Sequence, residues 1–529
     1  MLLLTEIYTK VSHAPPSSGV VALGFLVAGV VLYSIGLVTY RLTLHPLSKY
    51  PGPKLAGATK WYEFYFDCIK APGGQFLWEV YRMHEQYGPI VRINPDELHV
   101  ADAAWYEVLN AAGGAIRHKY PPSANLVGTP LGVFGTIDHH VHRIRKAPVA
   151  SYFARGSVLQ FQPTMRSRVE ALSGRFHKIH RQGKIVDLRL TFLAFATDML
   201  CVYGFGGPMG LLDSEEKASE WLDTMNAVAV VTPFFKQFPE VLPWLFMLAP
   251  WIIKKVYPAV IPMLTLHRKM RQRATEAWNR YNQEFKQRQP FKESRAANVF
   301  EGILYSNIPE HEKSIDRLSQ DAFLTITAGG DPAARTMAMA VYYLLSNPKS
   351  LELLHAELDK AMPDSSQLLA LKELESLPVL TAVIKETMRI MGLTTSRLPL
   401  ISDTPLQYEK WTIPAGIPVG MSIHQVLHDK KYFPDSETFR PERWLEAPKD
   451  GVKLDHYYVP FGRGTRMCVG QHFAQAEIYL VIASIFRRFH LRLVDTIFER
   501  DIQTVRDCFL AECSPECQGI RVFVAGERH

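Results

Sequence analysis

Phe461-Gly-Arg-Gly-Thr-Arg-Met-Cys-Val-Gly470 sets a single cysteine, Cys468, in a glycine-punctuated loop. Arg463 and Arg466 stand upstream, and a helical stretch, Gln471 to Arg488, comes after it. A thiolate is a strong, soft ligand for iron, and a loop with little side-chain bulk lets a flat macrocycle lie against its backbone. Backbone N–H groups aimed at the sulfur, with a cation nearby, favour thiolate over thiol. A lone loop cysteine is more often buried and inert. The frame of Phe461, Gly464, Arg466 and Gly470 around Cys468 separates this one from that reading.

The spacing Phe-x-x-Gly-x-Arg-x-Cys-x-Gly resembles the haem-thiolate loop of the cytochrome P450 family. The resemblance implies haem b (iron protoporphyrin IX), with Cys468 as the iron ligand and Arg466 on a propionate. It extends to Glu386-Thr-Met-Arg389, a carboxylate and a guanidinium three apart and so on one helical face. Glu-x-x-Arg alone carries little information, but Phe439-Arg-Pro-Glu-Arg-Trp444 adds Arg443 in the family's order. There, Glu386, Arg389 and Arg443 would form a buried network that holds the scaffold. Asp138 to Lys146 is similar to the helix that supplies further propionate contacts, with His142 where relatives have Trp and Lys146 where Arg is usual. Arg397 is a further candidate. Arg143 and Arg145 suit either a solvated face or a surface that steers an acidic electron donor.

Asp321 to Thr336 resembles the family's oxygen-binding helix, usually Ala/Gly-Gly-x-Asp/Glu-Thr-Thr. Ala328, Gly329, Gly330 and Asp331 agree, but Pro332 and Ala333 replace the threonines. The first threonine is the alcohol that relays protons to dioxygen in the family. Proline lacks an N–H, so the carbonyl of Ala328 loses its partner and a kink is expected, eased by the glycines. Asp331 and Pro332 are therefore the candidate catalytic positions, with water beside Asp331 standing in for the hydroxyl. Thr336 lies one turn away, about 6 Å along the axis, too far to substitute. Three readings stay open: water- or substrate-assisted monooxygenation, a rearrangement or dehydration that needs no relay, and poorly coupled turnover that leaks peroxide. By resemblance the substrate pocket is lined by Leu126–Phe134, Phe323, Ile326, Thr327, Ala328, Leu393, Thr394 and Phe509, an apolar set that suggests a lipophilic substrate.

The chain has 529 residues, 47% of them hydrophobic, and a net charge of +7 with both signs interleaved. Nothing in it reads as a nucleic-acid binder. Six cysteines are too few for a disulfide scaffold; Cys508, Cys513 and Cys517 cluster but lack a His at zinc-ligand spacing. Gly19 to Tyr40 is an uncharged, mostly apolar run, about 33 Å long as a helix. Arg41, His45, Lys49 and Lys54 lie directly after it, so the positive-inside bias places the chain beyond Tyr40 in the cytosol. Residues 1–18 are read as lumenal, 19–40 as a transmembrane helix and 41–56 as a proline-rich hinge. Residues 57–529 are read as the cytosolic catalytic domain.

Helical periodicity marks Gln75–Tyr87, Thr164–Arg181 and Met263–Arg288, with Pro163 and Pro262 suited to helix starts. β-like runs are Ile90–Ile93, Gln407–Ile413 and Ile520–Val524. Val228 to Val256 is broken by prolines and carries Trp244 and Trp251 before Lys254 and Lys255, which suits an interfacial segment. The expected fold is mainly α with small β-sheets, a cytochrome P450 fold behind one N-terminal transmembrane helix. By resemblance the chain is identified as a microsomal, fungal-type member in the endoplasmic reticulum membrane. It would oxidise a terpenoid or polyketide with O2 and electrons from NADPH-cytochrome P450 reductase, and cytochrome b5 as a second donor. A non-catalytic haem-binding protein is the remaining alternative.

Overall fold

The computed structural model describes residues 18–111, 113–241, 244, 247–256, 258, 261–286, 298–447 and 451–528. Residues 1–17, expected to be lumenal, lie outside them. The first helix runs Ser18–Thr43, three residues beyond the expected end at Tyr40, and its apolar side chains are exposed. Ala22–Thr43 has a mean hydropathy of 2.2 with none of it buried, so it is long and apolar enough to cross a membrane. Leu188–Phe205 passes the same length and hydropathy test but is 78% buried, which makes it a core helix instead.

The hinge is packed rather than free. Arg41 donates to the carbonyl of Ala58 at 2.8 Å, and Arg92 donates back to that of Arg41 at 2.7 Å. Leu47 and Tyr50 are buried against a five-stranded sheet. That sheet runs in the order Ile90–Arg92, Leu98–Val100, Pro418–Gly420, Leu400–Ser402, Arg117–Lys119, with only the second and third strands parallel. The hairpin Leu406–Tyr408/Trp411–Ile413 and the strand Arg521–Glu527, paired with Ile185–Asp187 and Phe489–Leu493, account for the other β-like runs.

Most of the remaining chain is helical. Phe76–Tyr87 and Ile261–Lys286 fall where periodicity puts them. Pro163, expected at a start, instead lies inside a helix spanning Arg155–Gln182. At the centre of the largest core, Ile315–Ser346 crosses Leu188–Phe205. Gly329 and Gly330 make this crossing close: a Cβ on either would overlap Leu200 or Thr197 Oγ1. Their role is thus to admit a neighbouring helix, beyond easing the distortion at Pro332. The helix is unbroken from Ile315 to Ser346, so whatever distortion Pro332 causes stays within helical backbone.

Candidate functional site

The cysteine loop is a compact turn. Cys468 N–H donates to the carbonyl of Phe461 at 2.9 Å, and Gly462 and Gly464 both have a φ of +69°. A Cβ on Gly464 would run into the carbonyl of Asn110, so this glycine is required by both conformation and space. Gly470 caps the helix Gln471–Arg488. Protein packs closely around Cys468, yet the residue keeps exposed surface. Burial pushes its thiol up, while the N–H groups of Gly470 and Gln471 and the Lys146 ammonium oppose that shift. These donors favour the thiolate that a metal ligand requires.

A group of basic side chains adjoins the loop. Arg466 donates to the carbonyls of Thr136 and Ile137 at 2.6 and 2.8 Å, and its buried Nε meets no partner. His142 is buried with Nδ1 unpartnered. Lys119, also buried, donates only to the carbonyl of Phe134 at 2.9 Å. Burial followed by the repulsion of Arg466 drives Lys119 well below its ordinary range and His142 to about 2. Burial holds Arg466 at about 10, opposed only by Asp138. Buried donors that repel one another fit a ligand bearing two carboxylates. With the cysteine beside them, they fit a haem and its propionates.

Lys119 is an addition to the expected set; its signal in sequence is a charged residue in the sheet strand Arg117–Lys119, where burial is the rule. Lys146 adjoins that cluster, close enough to act on His142. Its ammonium binds the carbonyls of Thr465 and Met467 at 2.7 and 2.9 Å, clamping the loop on either side of Cys468. Arg397 is placed elsewhere, bonded to Glu97 at 2.5 Å and Glu63 at 2.9 Å. Two carboxylates neutralise it, so it is already paired where the propionate reading needs a free cation. Arg145 likewise forks onto Glu312 at 2.7 and 3.2 Å, leaving Arg143 as the exposed cation of that helix.

Glu386, Arg389 and Arg443 do converge. Glu386 is fully buried near the end of helix Pro378–Met391 and accepts from Arg389 at 2.8 and 2.9 Å and from Arg443 at 3.0 Å. It also accepts from Trp444 Nε1 at 2.9 Å and from the Arg440 N–H at 3.0 Å, two partners the sequence does not announce. Arg389 bonds onward to the carbonyls of Leu427 and Ser436, so one carboxylate ties the helix to the loop that leads to Cys468.

On the distal helix, Ala328 is exposed and Pro332 half-buried, four residues apart and hence on one accessible face. Asp331 points elsewhere. It is buried and accepts from Arg335 Nε at 2.7 Å, with Arg189 at 3.6 Å. Burial pushes its carboxyl up, but Arg335 and then Arg189 outweigh that and hold it below the usual value. Asp331 is therefore an ion-pair partner behind the helix rather than a water-holding acid beside Pro332. Thr336 Oγ1 donates to the carbonyl of Pro332 at 2.8 Å, and Thr327 Oγ1 to that of Phe323 at 3.0 Å.

The pocket candidates fall into two groups. Phe323 and Ile326 are buried in the main core, with Thr327 and Ala328 more open. Leu393 accepts from Ala511 N–H, and Thr394 bridges Leu510 beside Phe509, whose φ is +78°. Phe509 packs edge-on to Phe134 with centroids 5.8 Å apart, joining the terminal turn to the Leu126–Phe134 loop. That loop is fixed to the distal helix by Asp321, which accepts from the Val133 N–H at 2.7 Å, and by Gln320, which accepts from Leu131 N–H at 2.8 Å.

The sequence model of the family described as Cytochrome P450 matches residues 58–505. The tryptophan 6-hydroxylase fscE of Fusarium equiseti is 38% identical, over 96% of this chain and 97% of its own length. The cytochrome P450 monooxygenase MO6277 of Ascocoryne sarcoides is 36% identical, over 96% and 99%. The conidiogenone synthase PchP450 of Penicillium rubens is 34% identical, over 94% and 98%. A buried Glu–Arg–Arg network, a cysteine loop beside buried basic side chains and near full-length relatives lead to one assignment: the chain belongs to the cytochrome P450 family and is a haem-thiolate monooxygenase.

Proposed function

We propose that this enzyme hydroxylates an unactivated C–H bond of a largely apolar fungal secondary metabolite, using haem b, O2 and electrons from NADPH-cytochrome P450 reductase, with cytochrome b5 as an accessory donor. The observation that carries this reading is the exposed Cys468 thiol in its loop, with the unpartnered Arg466 Nε and His142 Nδ1 and the buried Lys119 ammonium nearby. When bound there, the haem supplies oxygen activation and the oxidising power for the C–H bond. The protein's own residues hold it. Cys468 ligates, Arg466, Lys119 and His142 take the propionates, and Lys146 keeps the loop carbonyls of Thr465 and Met467 in place.

Phe134, Phe323, Ile326 and Phe509 give the substrate space its apolar and aromatic character. Relatives named for tryptophan, N-acetyltryptophan and conidiogenone chemistry widen the substrate class from terpenoids and polyketides to indoles. Protons reach the site through water on the Ala328–Pro332 face, because Asp331 is engaged by Arg335 and the side chain at 332 cannot donate. Residues 1–17 lie in the lumen of the endoplasmic reticulum, the helix Ser18–Thr43 spans its membrane, and the domain is cytosolic. Exposed Trp244, Met247, Trp251 and Val256 rest on the membrane surface.

Pro332 favours one other reading, a rearrangement or dehydration that needs no NADPH. Microsomes carrying the chain, fed terpenoid, polyketide and indole panels with and without NADPH, separate the two. Product only with NADPH supports hydroxylation; equal product without it refutes it. Pro332→Thr tests the relay: product formed per NADPH rises if position 332 controls proton delivery, and an unchanged ratio removes it from that role.

A further inference from the structure

The C-terminal cysteines are parted by the fold. Cys508 is buried in the strand Arg506–Cys508, whereas Cys513 and Cys517 flank a tight turn. The turn is closed by Cys517 N–H donating to the carbonyl of Ser514 at 3.0 Å. It folds the second thiol back over the first. Cys513 Sγ lies 3.1 Å from the carbonyl oxygen of Asp501 and Cys517 Sγ 3.9 Å from the same atom. One carbonyl oxygen thus accepts from both thiols. Both line a cavity of about 230 Å³ that Arg189, Arg335 and Glu512 share, so a small oxidant has room to reach them.

This pair is not a metal site: among the described residues, no group of three or more His, Cys, Asp or Glu side chains is placed to hold an ion. It is chemically set apart from the other cysteines. Burial pushes the Cys68 thiol up to about 11 and those of Cys201 and Cys508 up to about 12. Within the pair the shifts are opposite: the neighbouring Cys513 thiol and the Gly519 N–H bring Cys517 down to about 7, while Cys517 and then burial push the Cys513 thiol far up.

The turn is wired to the distal helix. It lies directly after the strand Leu510–Glu512, in which the carbonyl of Ala511 accepts from Arg335 at 2.8 Å and Glu512 accepts from it at 2.5 Å. Arg335 is the residue that holds Asp331. We propose that Cys513 and Cys517 form a peroxide-sensitive redox site whose disulfide acts, through Glu512 and Arg335, on the distal helix around Asp331.

The chemistry balances without further reactants. The Cys517 thiolate attacks one oxygen of hydrogen peroxide, and the O–O bond breaks to give a sulfenic acid and hydroxide. Cys513 then attacks the sulfenic sulfur, forming the S–S bond and releasing water. In sum, two thiols and one peroxide give one disulfide and two waters. Hydrogen peroxide is the two-electron reduction product of dioxygen, so turnover that fails at proton delivery generates the oxidant close by. Cytosolic thiol reductants return the pair to its starting state.

The test uses the full-length, haem-loaded protein in detergent. It is treated with hydrogen peroxide until the haem absorbance begins to fall, then alkylated and digested without reductant. A peptide carrying Cys513 and Cys517, lighter by two hydrogens and restored by dithiothreitol, is expected, as is capture of the reduced pair by phenylarsine oxide. Cys513→Ser and Cys517→Ser should each abolish both signals, leaving Cys68, Cys201 and Cys508 alkylated as before. Recovery of both cysteines as free thiols, or as separate sulfinic acids, overturns the site. Hydrogen exchange at residues 328–336 should change on oxidation in the wild type and not in Cys517→Ser. A disulfide that leaves this exchange unchanged overturns the link to the distal helix.

Discussion

Replacing Glu386 by Gln keeps the shape of the side chain and removes its charge, leaving Arg389 and Arg443 buried without a counter-ion. Glu386 accepts five hydrogen bonds, three from the guanidinium groups at 2.8 to 3.0 Å and two from Trp444 and the Arg440 backbone. Removing one partner of a buried ion pair costs about 3–5 kcal/mol. The amide also turns one acceptor atom into a donor that faces an existing donor, so the upper end of that range applies. Folded domains hold a net stability of about 5–15 kcal/mol, and a loss of this size consumes much of it. The variant should load little haem during expression, and the fraction that loads should unfold in urea at a clearly lower midpoint. Arg389→Lys should fall between the two, because one ammonium cannot fork across both oxygens. Absorbance of the haem Soret band against total protein, followed through a urea titration, reads both effects. A Glu386→Gln protein with full haem occupancy and stability within about 1 kcal/mol of the parent would show the network to be dispensable.

Two smaller perturbations probe the distal helix. Gly330→Ala forces a methyl against Thr197 Oγ1 and should cost about 1–3 kcal/mol, read as a lower thermal midpoint, whereas Gly24→Ala in the first helix meets nothing within 4 Å and should be neutral in the same assay. Equal midpoints for the two would refute the close crossing. Asp321 has its carboxyl raised to about 6 by burial, so the folded form keeps a proton that the unfolded chain releases near 3.8. Its contribution to stability is complete at low pH and is lost as pH rises through about 6. Asp321→Asn should therefore flatten the fall in thermal midpoint between about pH 4 and pH 6, and parallel curves for the two proteins would count against it.

The parts legible in the sequence share one property: their signal is local. Phe461 to Gly470 lies within ten residues, Glu386 and Arg389 are one helical turn apart, and the apolar run after Gly19 needs only length and composition. Side-chain direction and partners remote in sequence are not legible in that way. Sequence spacing suggests Asp331 beside Pro332, but the next position on a helix turns about 100° away, and Arg335 takes it together with Glu512, 177 residues downstream of that arginine. Arg397 reads as a free cation until Glu97, 300 residues earlier, meets it in space. A short strand hints that Lys119 is buried but not that Arg466, 347 residues downstream, lies near it. Pro163 resembles a boundary in sequence, although a long helix accommodates it in its interior.

The most direct test of haem-thiolate ligation is the spectrum of the dithionite-reduced, CO-bound protein. Thiolate ligation by Cys468 predicts the strongly red-shifted Soret band of a thiolate-bound ferrous haem in the parent, and its loss in Cys468→Ser. A parent spectrum of the nitrogen-ligated type, or a Cys468→Ser protein that keeps the red-shifted band, would contradict it.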